Sequence, residues 1–116
     1  MVRLFLQGFL SNRKAVFLFI SFLTVLVMFS LLLRGEKTFG VDTNLYSHYN
    51  NYEIFKYSHH HLIAAEDLYV AYPEEHFDLF KYSPSFAAFF GVFSHFPDWL
   101  GLTLWSLLNA LLLVYS

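Results

Sequence analysis

Residues 15–33 read AVFLFISFLTVLVMFSLLL, an unbroken apolar run in which no position carries a charge. At about 1.5 Å per residue a helix of that length reaches roughly 28 Å, close to the hydrocarbon thickness of a bilayer. The run predicts a transmembrane helix. It is longer than the apolar centre of a signal peptide, and the LLRGE that ends it offers no small-residue cleavage site. A second apolar run, WLGLTLWSLLNALLLVY, predicts another span within 97–116, with Trp99 suited to the interface. Between the two, SFAAFFGVFSHF is apolar on nearly every side but too short to cross, so 85–96 is expected as a re-entrant or interfacial helix. Ahead of the first span, residues 1–14 place Arg3, Gln7 and Ser11 on one stripe, with Leu4, Phe5, Phe9 and Leu10 around the rest. That pattern fits a short helix lying along a membrane surface.

The polar remainder, residues 34–84, is a long loop, and a loop of this length inside a compact protein is commonly functional. Tyr, Phe, Ile and Leu recur throughout it, which is not the composition of a disordered linker. Its stretch NNYEIFKYSHHHLI carries helical spacing: Ile54, Phe55, Ser58 and Leu62 form an apolar or small stripe with His59 beside it. Glu53, Tyr57 and His60 form a second stripe. Asn50 is expected as the N-cap, with Glu53 three residues on returning to the cap's backbone N–H in a capping box. Pro73 predicts another helix start, with Glu74 and Glu75 at its positive end.

Composition agrees with lipid as the solvent. Of the 116 residues 57% are hydrophobic and 14% charged, too little charge to cover so much apolar surface in water. A net charge of -2 argues against a nucleic-acid partner, and the absence of cysteine removes thiolate ligands, cysteine nucleophiles and disulfides together. Arg3, Arg13 and Lys14 precede the first span, whereas Arg34 and Lys37 follow it beside Glu36. The positive-inside rule then places the N-terminus in the cytoplasm and the acidic 34–84 loop on the extracytoplasmic side of the inner membrane.

Three histidines in succession invite a metal reading, but on a helix residues 59, 60 and 61 point about 100° apart and do not converge on one ion. No metal is assigned, and no residue pattern calls for a divalent ion. His60, on the stripe with Tyr57, is the histidine expected to touch a phosphate or sugar. Lys81 and Tyr82, next to the start of the short apolar helix, are expected to meet a lipid phosphate. Asn109, at membrane depth, is expected to hydrogen-bond another helix.

The order of these elements resembles the beginning of glycosyltransferase family 87, the polyprenol-phosphate-mannose-dependent mannosyltransferases of GT-C type. Asn51-Tyr52, Leu68-Tyr69, Tyr82-Ser83-Pro84, Leu104-Trp105 and Leu108-Asn109 carry it, and they extend over essentially the whole chain. The resemblance implies an all-α membrane protein, here the N-terminal part of a GT-C-like polytopic helical bundle with a helical extracytoplasmic loop. It also implies transfer of a hexosyl, mannose-like unit from a polyprenyl-phosphate sugar donor to an acceptor that no residue pattern identifies. In that family a carboxylate in the first loop is the proposed general base, removing the acceptor's proton as the glycosidic bond forms. Here the acidic position falls on Asn51, which cannot take a proton. Glu53 or Asp42 then becomes the candidate base, or the chain is an inactive membrane protein serving as an interaction module. A transporter is disfavoured, because the ionisable residues lie in the loop and not in the spans.

Overall fold

A computed structural model describes residues 1–39 and 44–116 of the chain. Among the described residues six helices follow one another: α1 (Val2–Ser11), α2 (Arg13–Leu33), α3 (Asn50–Ile63), α4 (Pro84–Phe89), α5 (Gly91–Ser94) and α6 (Asp98–Tyr115). Among the described residues the extended backbone pairs once, in an antiparallel bridge between Lys37 and Tyr46.

The two apolar runs become α2 and α6, both long and apolar enough to cross a membrane. They pack side by side and antiparallel. Phe17 meets Tyr115 near one end, and the Ser106 hydroxyl donates to the Met28 sulfur nearer the other. None of the side chains of α2 is buried; Leu18, Phe22, Leu26 and Phe29 all point outward. Asn12 breaks α1 from α2 with an extended backbone, and its side chain accepts the Ala15 N–H that the start of α2 leaves free.

The described residues between the paired helices gather into a cap at one end of them. α3 lies across α4 and α5 and also reaches α6. Lys56 and Asp98 pair at 2.9 Å, with Lys56 mostly buried and its ammonium also over the Tyr57 ring. Tyr52 is buried and donates to the Phe93 carbonyl at 3.4 Å. That approach needs Gly101, because a Cβ there would overlap the Tyr52 hydroxyl and crowd the Phe93 carbonyl oxygen. The core is aromatic: Tyr52, Phe90 and Phe93 with Leu102, extended by Phe55, Phe86 and Trp105. A second cluster of Ile54, Leu68, Phe80 and Ala87 joins it through Phe55 and Phe86.

Local chemistry departs from the sequence-based expectation at three places. The helix cap of α3 is Tyr49, which makes no side-chain cap bond, so the capping box does not form. Asn50 instead turns its amide onto the backbone of Phe77, donating to its carbonyl and accepting from its N–H, both at 2.8 Å. Pro73 opens a single turn in place of a helix, closed by the Glu75 and His76 N–H groups on the Tyr72 carbonyl. The short apolar segment is interrupted at Phe90, giving α4 and α5. Ser83 caps α4 by accepting from the Phe86 N–H, and Pro84 occupies its first turn, where a missing N–H costs nothing.

Candidate functional site

Two hollows open where the cap meets the paired helices, and the start of α3 forms a wall of each. The first is a groove of about 380 Å³. Met28, Leu31, Leu102 and Trp105 make its apolar side, while Lys37, His48 and Asn51 supply polar groups. Lys37 is fixed there by its two backbone hydrogen bonds to Tyr46, and its ammonium lies 4.5 Å from the centre of the Phe39 ring. Met28 and Ser106 also line a trough between α2 and α6 that extends to Ile20 and Asn109. Groove and trough adjoin at the bonded Met28–Ser106 pair, the groove polar at the cap and the trough apolar along the helices. Their shape and polarity suit an amphiphile with an anionic head.

The second hollow, of about 270 Å³, is walled by Glu36, Glu53, Glu74 and Glu75, with Arg34 and Ser47. Tyr49 lines both hollows and so stands between them. Asn51 and Glu53 are two residues apart on a helix, about 200° around it, which is why one faces the groove and the other the acidic hollow. Burial raises the Glu53 pKa above the ordinary carboxylate value, and Asp98 and Glu36 add to the rise; the Ser47 hydroxyl and Lys56 pull the other way. Tyr52 is pushed up to about 12 by burial and by Asp98. A half-buried carboxylate with a raised pKa is a better proton acceptor than a solvated one.

The other candidates scatter. Tyr57 and His60 share a face as the stripe requires, with ring centroids 6.1 Å apart, but they line neither hollow. Burial, together with His59 and Lys56, lowers the pKa of His60 and favours its neutral form. Lys81 is exposed and paired with Asp78 at 2.6 Å. Tyr82 packs on Phe55 and Phe86 at the edge of the aromatic core. Asp42 lies outside the described residues. Asn109 bonds the Trp105 carbonyl of its own helix and not a neighbouring helix, and its side chain is exposed.

The histidine triplet separates as the helix geometry requires. His59 is buried, and its Nδ1 donates to the Ala87 carbonyl; Gly91 leaves room for the ring, since a Cβ there would overlap it. His60 faces out. His61 is buried and gripped by two carboxylates, Glu66 on Nδ1 and Glu75 on Nε2 at 2.7 Å. Through Glu75, His61 braces a wall of the acidic hollow.

Lys37, His48 and His61 were not singled out by the sequence. Lys37 is brought to the groove by a bridge to Tyr46, for which the sequence holds no strand pattern. The protein-family models, the curated proteins and the solved structures yield no match to this chain.

Proposed function

We propose that the chain is a membrane protein in which α2 and α6 cross the bilayer and the cap lies on the extracytoplasmic side. On this reading it forms part of a GT-C-type glycosyltransferase that takes a hexosyl, mannose-like unit from a polyprenyl-phosphate donor. The observation that carries this is the groove at Lys37, His48 and Asn51 adjoining an apolar trough on the seam between α2 and α6. A polyprenyl phosphate needs that combination, a cationic mouth for the phosphate and an apolar seam for the chain. The outward-facing apolar side chains of α2 favour lipid around it, because in water they would be exposed at a cost of about 25 cal/mol per Å².

The chemistry then divides between the hollows. The donor's phosphate sits against Lys37, and the acceptor enters from the acidic hollow, its hydroxyl passing Tyr49 to reach the anomeric carbon at the groove. Glu53 removes the hydroxyl proton as the new C–O bond forms. The bond from the anomeric carbon to the phosphate oxygen breaks, and Lys37 offsets the charge left on the phosphate.

A second reading has its own observation. The residue facing the groove at the resemblance's acidic position is Asn51, an amide without useful basicity. The chain would then hold a lipid phosphate without transferring its sugar and act as an interaction module. Both readings are tested on membranes carrying the protein, using a radiolabelled polyprenyl-phosphate hexose. Glycosyltransfer lost in Glu53→Gln, with donor binding kept, supports the enzyme. Binding lost in Lys37→Glu, with no transfer by the wild type, supports the binding module. Absence of both activities in the wild type rejects both.

A further inference from the structure

The geometry points to α1 as a surface anchor that docks on the anionic inner leaflet of the membrane. This rests on α2 being a span but not on sugar transfer. Phe9 and Phe19 are ten positions apart, which along a continuous helix is about 15 Å. Their ring centroids instead lie 5.5 Å apart, edge to face. The break at Asn12 has therefore folded α1 back beside the first turns of α2, so that it cannot prolong the span.

In that position α1 meets α2 through Phe9, and the apolar side chains around Phe9 stay uncovered by the described chain. Val2, Phe5, Leu6 and Leu10 are exposed on the sector that Phe9 centres, and Arg3, Gln7 and Ser11 occupy the opposite one together with the exposed Leu4. What covers the apolar sector is indicated by charge. Arg3, Arg13 and Lys14 are all cationic, and the first acidic residue of the given sequence is Glu36. Arg13 and Lys14 sit at the fold between the helices, on either side of Tyr115. Arg13 lines a hollow of about 300 Å³ with Leu10 and Val16, and Lys14 one of about 260 Å³ with Phe17 and Leu18. The Lys14 hollow joins a cation to apolar walls, the complement of an acidic phospholipid headgroup and its upper acyl chain, while the Arg13 hollow is also lined by Ser116. A basic amphipathic helix binds such a leaflet by burying its apolar face to about 5–10 Å, helped by roughly 1 kcal/mol for each cation near the surface.

The chain has no cysteine, so single cysteines can be placed one at a time. Full-length protein carrying Phe5→Cys, Gln7→Cys or Leu26→Cys, labelled with an environment-sensitive fluorophore, is reconstituted into vesicles with brominated acyl chains. The vesicles are phosphatidylcholine alone or mixed with phosphatidylglycerol. The expected result is quenching at position 26 in both, at position 5 several-fold more strongly in the anionic vesicles, and little at position 7. Combining Phe5→Cys with Arg3→Gln, Arg13→Gln and Lys14→Gln should abolish the dependence on lipid charge. Quenching at 26 without quenching at 5, equal quenching at 5 and 7, or indifference to lipid charge overturns the anchor while leaving the span intact. No quenching at 26 overturns the span, and the anchor with it.

Discussion

His61 lies face to face with Tyr72, their ring centroids 3.8 Å apart and their planes 13° from parallel. Glu66 and Glu75 hold the two nitrogens of the same imidazole. One ring thereby ties the end of α3 to a turn 14 residues further along the chain. Burial opposes the imidazolium charge, but the two carboxylate hydrogen bonds outweigh it and raise the His61 pKa above 6.5. Only the protonated ring donates from both nitrogens.

A histidine whose pKa is raised on folding contributes stability that is complete below its unfolded value, here 6.5, and that disappears as pH rises through the folded value. His76 acts in the opposite sense. Burial lowers its pKa, so its contribution is present above 6.5 and is lost as pH falls. Comparing thermal midpoints of the wild type and His61→Gln from acid to alkaline pH should give the widest gap at the acid end, closing as pH rises. A gap that widens toward alkaline pH would show that His61 is held neutral.

Ala65 should improve on replacement. The end of α3 is a Schellman turn, with the Ala65 N–H on the Leu62 carbonyl and the Glu66 N–H on the His61 carbonyl. Ala65 occupies its left-handed position at φ 56°, where a Cβ is unfavourable by about 1 kcal/mol. Ala65→Gly is expected to recover about that amount in denaturant titration, and Ala65→Val to lose more than it gains. Equal stability for all three residues would contradict the turn.

The Tyr52–Gly101 contact predicts a non-additive pair. Gly101→Ala should cost about 1–3 kcal/mol by overpacking the junction of α3 and α6. Tyr52→Phe should cost only about 1 kcal/mol, the worth of a hydrogen bond. Removing the hydroxyl also removes the atom nearest the new methyl, so the double variant should be more stable than the two costs summed. Strict additivity would mean that the helices do not approach here.

Asn50 predicts a local rather than a global effect. Asn50→Asp keeps the acceptor for the Phe77 N–H but sets a carboxylate oxygen against the Phe77 carbonyl, a loss of about 1–3 kcal/mol. Limited proteolysis near 73–78 should accelerate while the helical circular dichroism stays unchanged. An unchanged cleavage rate would show that the amide is not what holds this segment.

The helices on either side of the cap were legible because apolar runs of that length have few other uses, and α3 was legible from its stripe of Ile54, Phe55, Ser58 and Leu62. What the sequence could not convey were partnerships across the chain. Asn50 before a helix resembles a cap until Phe77, 27 residues away, engages both ends of its amide. Glu75 resembles a helix-start acid until the left-handed turn at Ala65 places Glu66 beside His61 as well. Lys37 became a groove residue through backbone pairing, which side-chain patterns do not encode.

The antiparallel pairing of α2 and α6 has a consequence for the segment between them. With residues 34 and 97 pinned to neighbouring helix ends, the cap is chemically linear but topologically a ring. While the pair holds, its denatured ensemble is already confined, and the closure entropy avoided for a loop of this length is roughly 4 kcal/mol. The sparse backbone ladders and small core of the cap therefore need to overcome less disorder than they would in a chain with free ends.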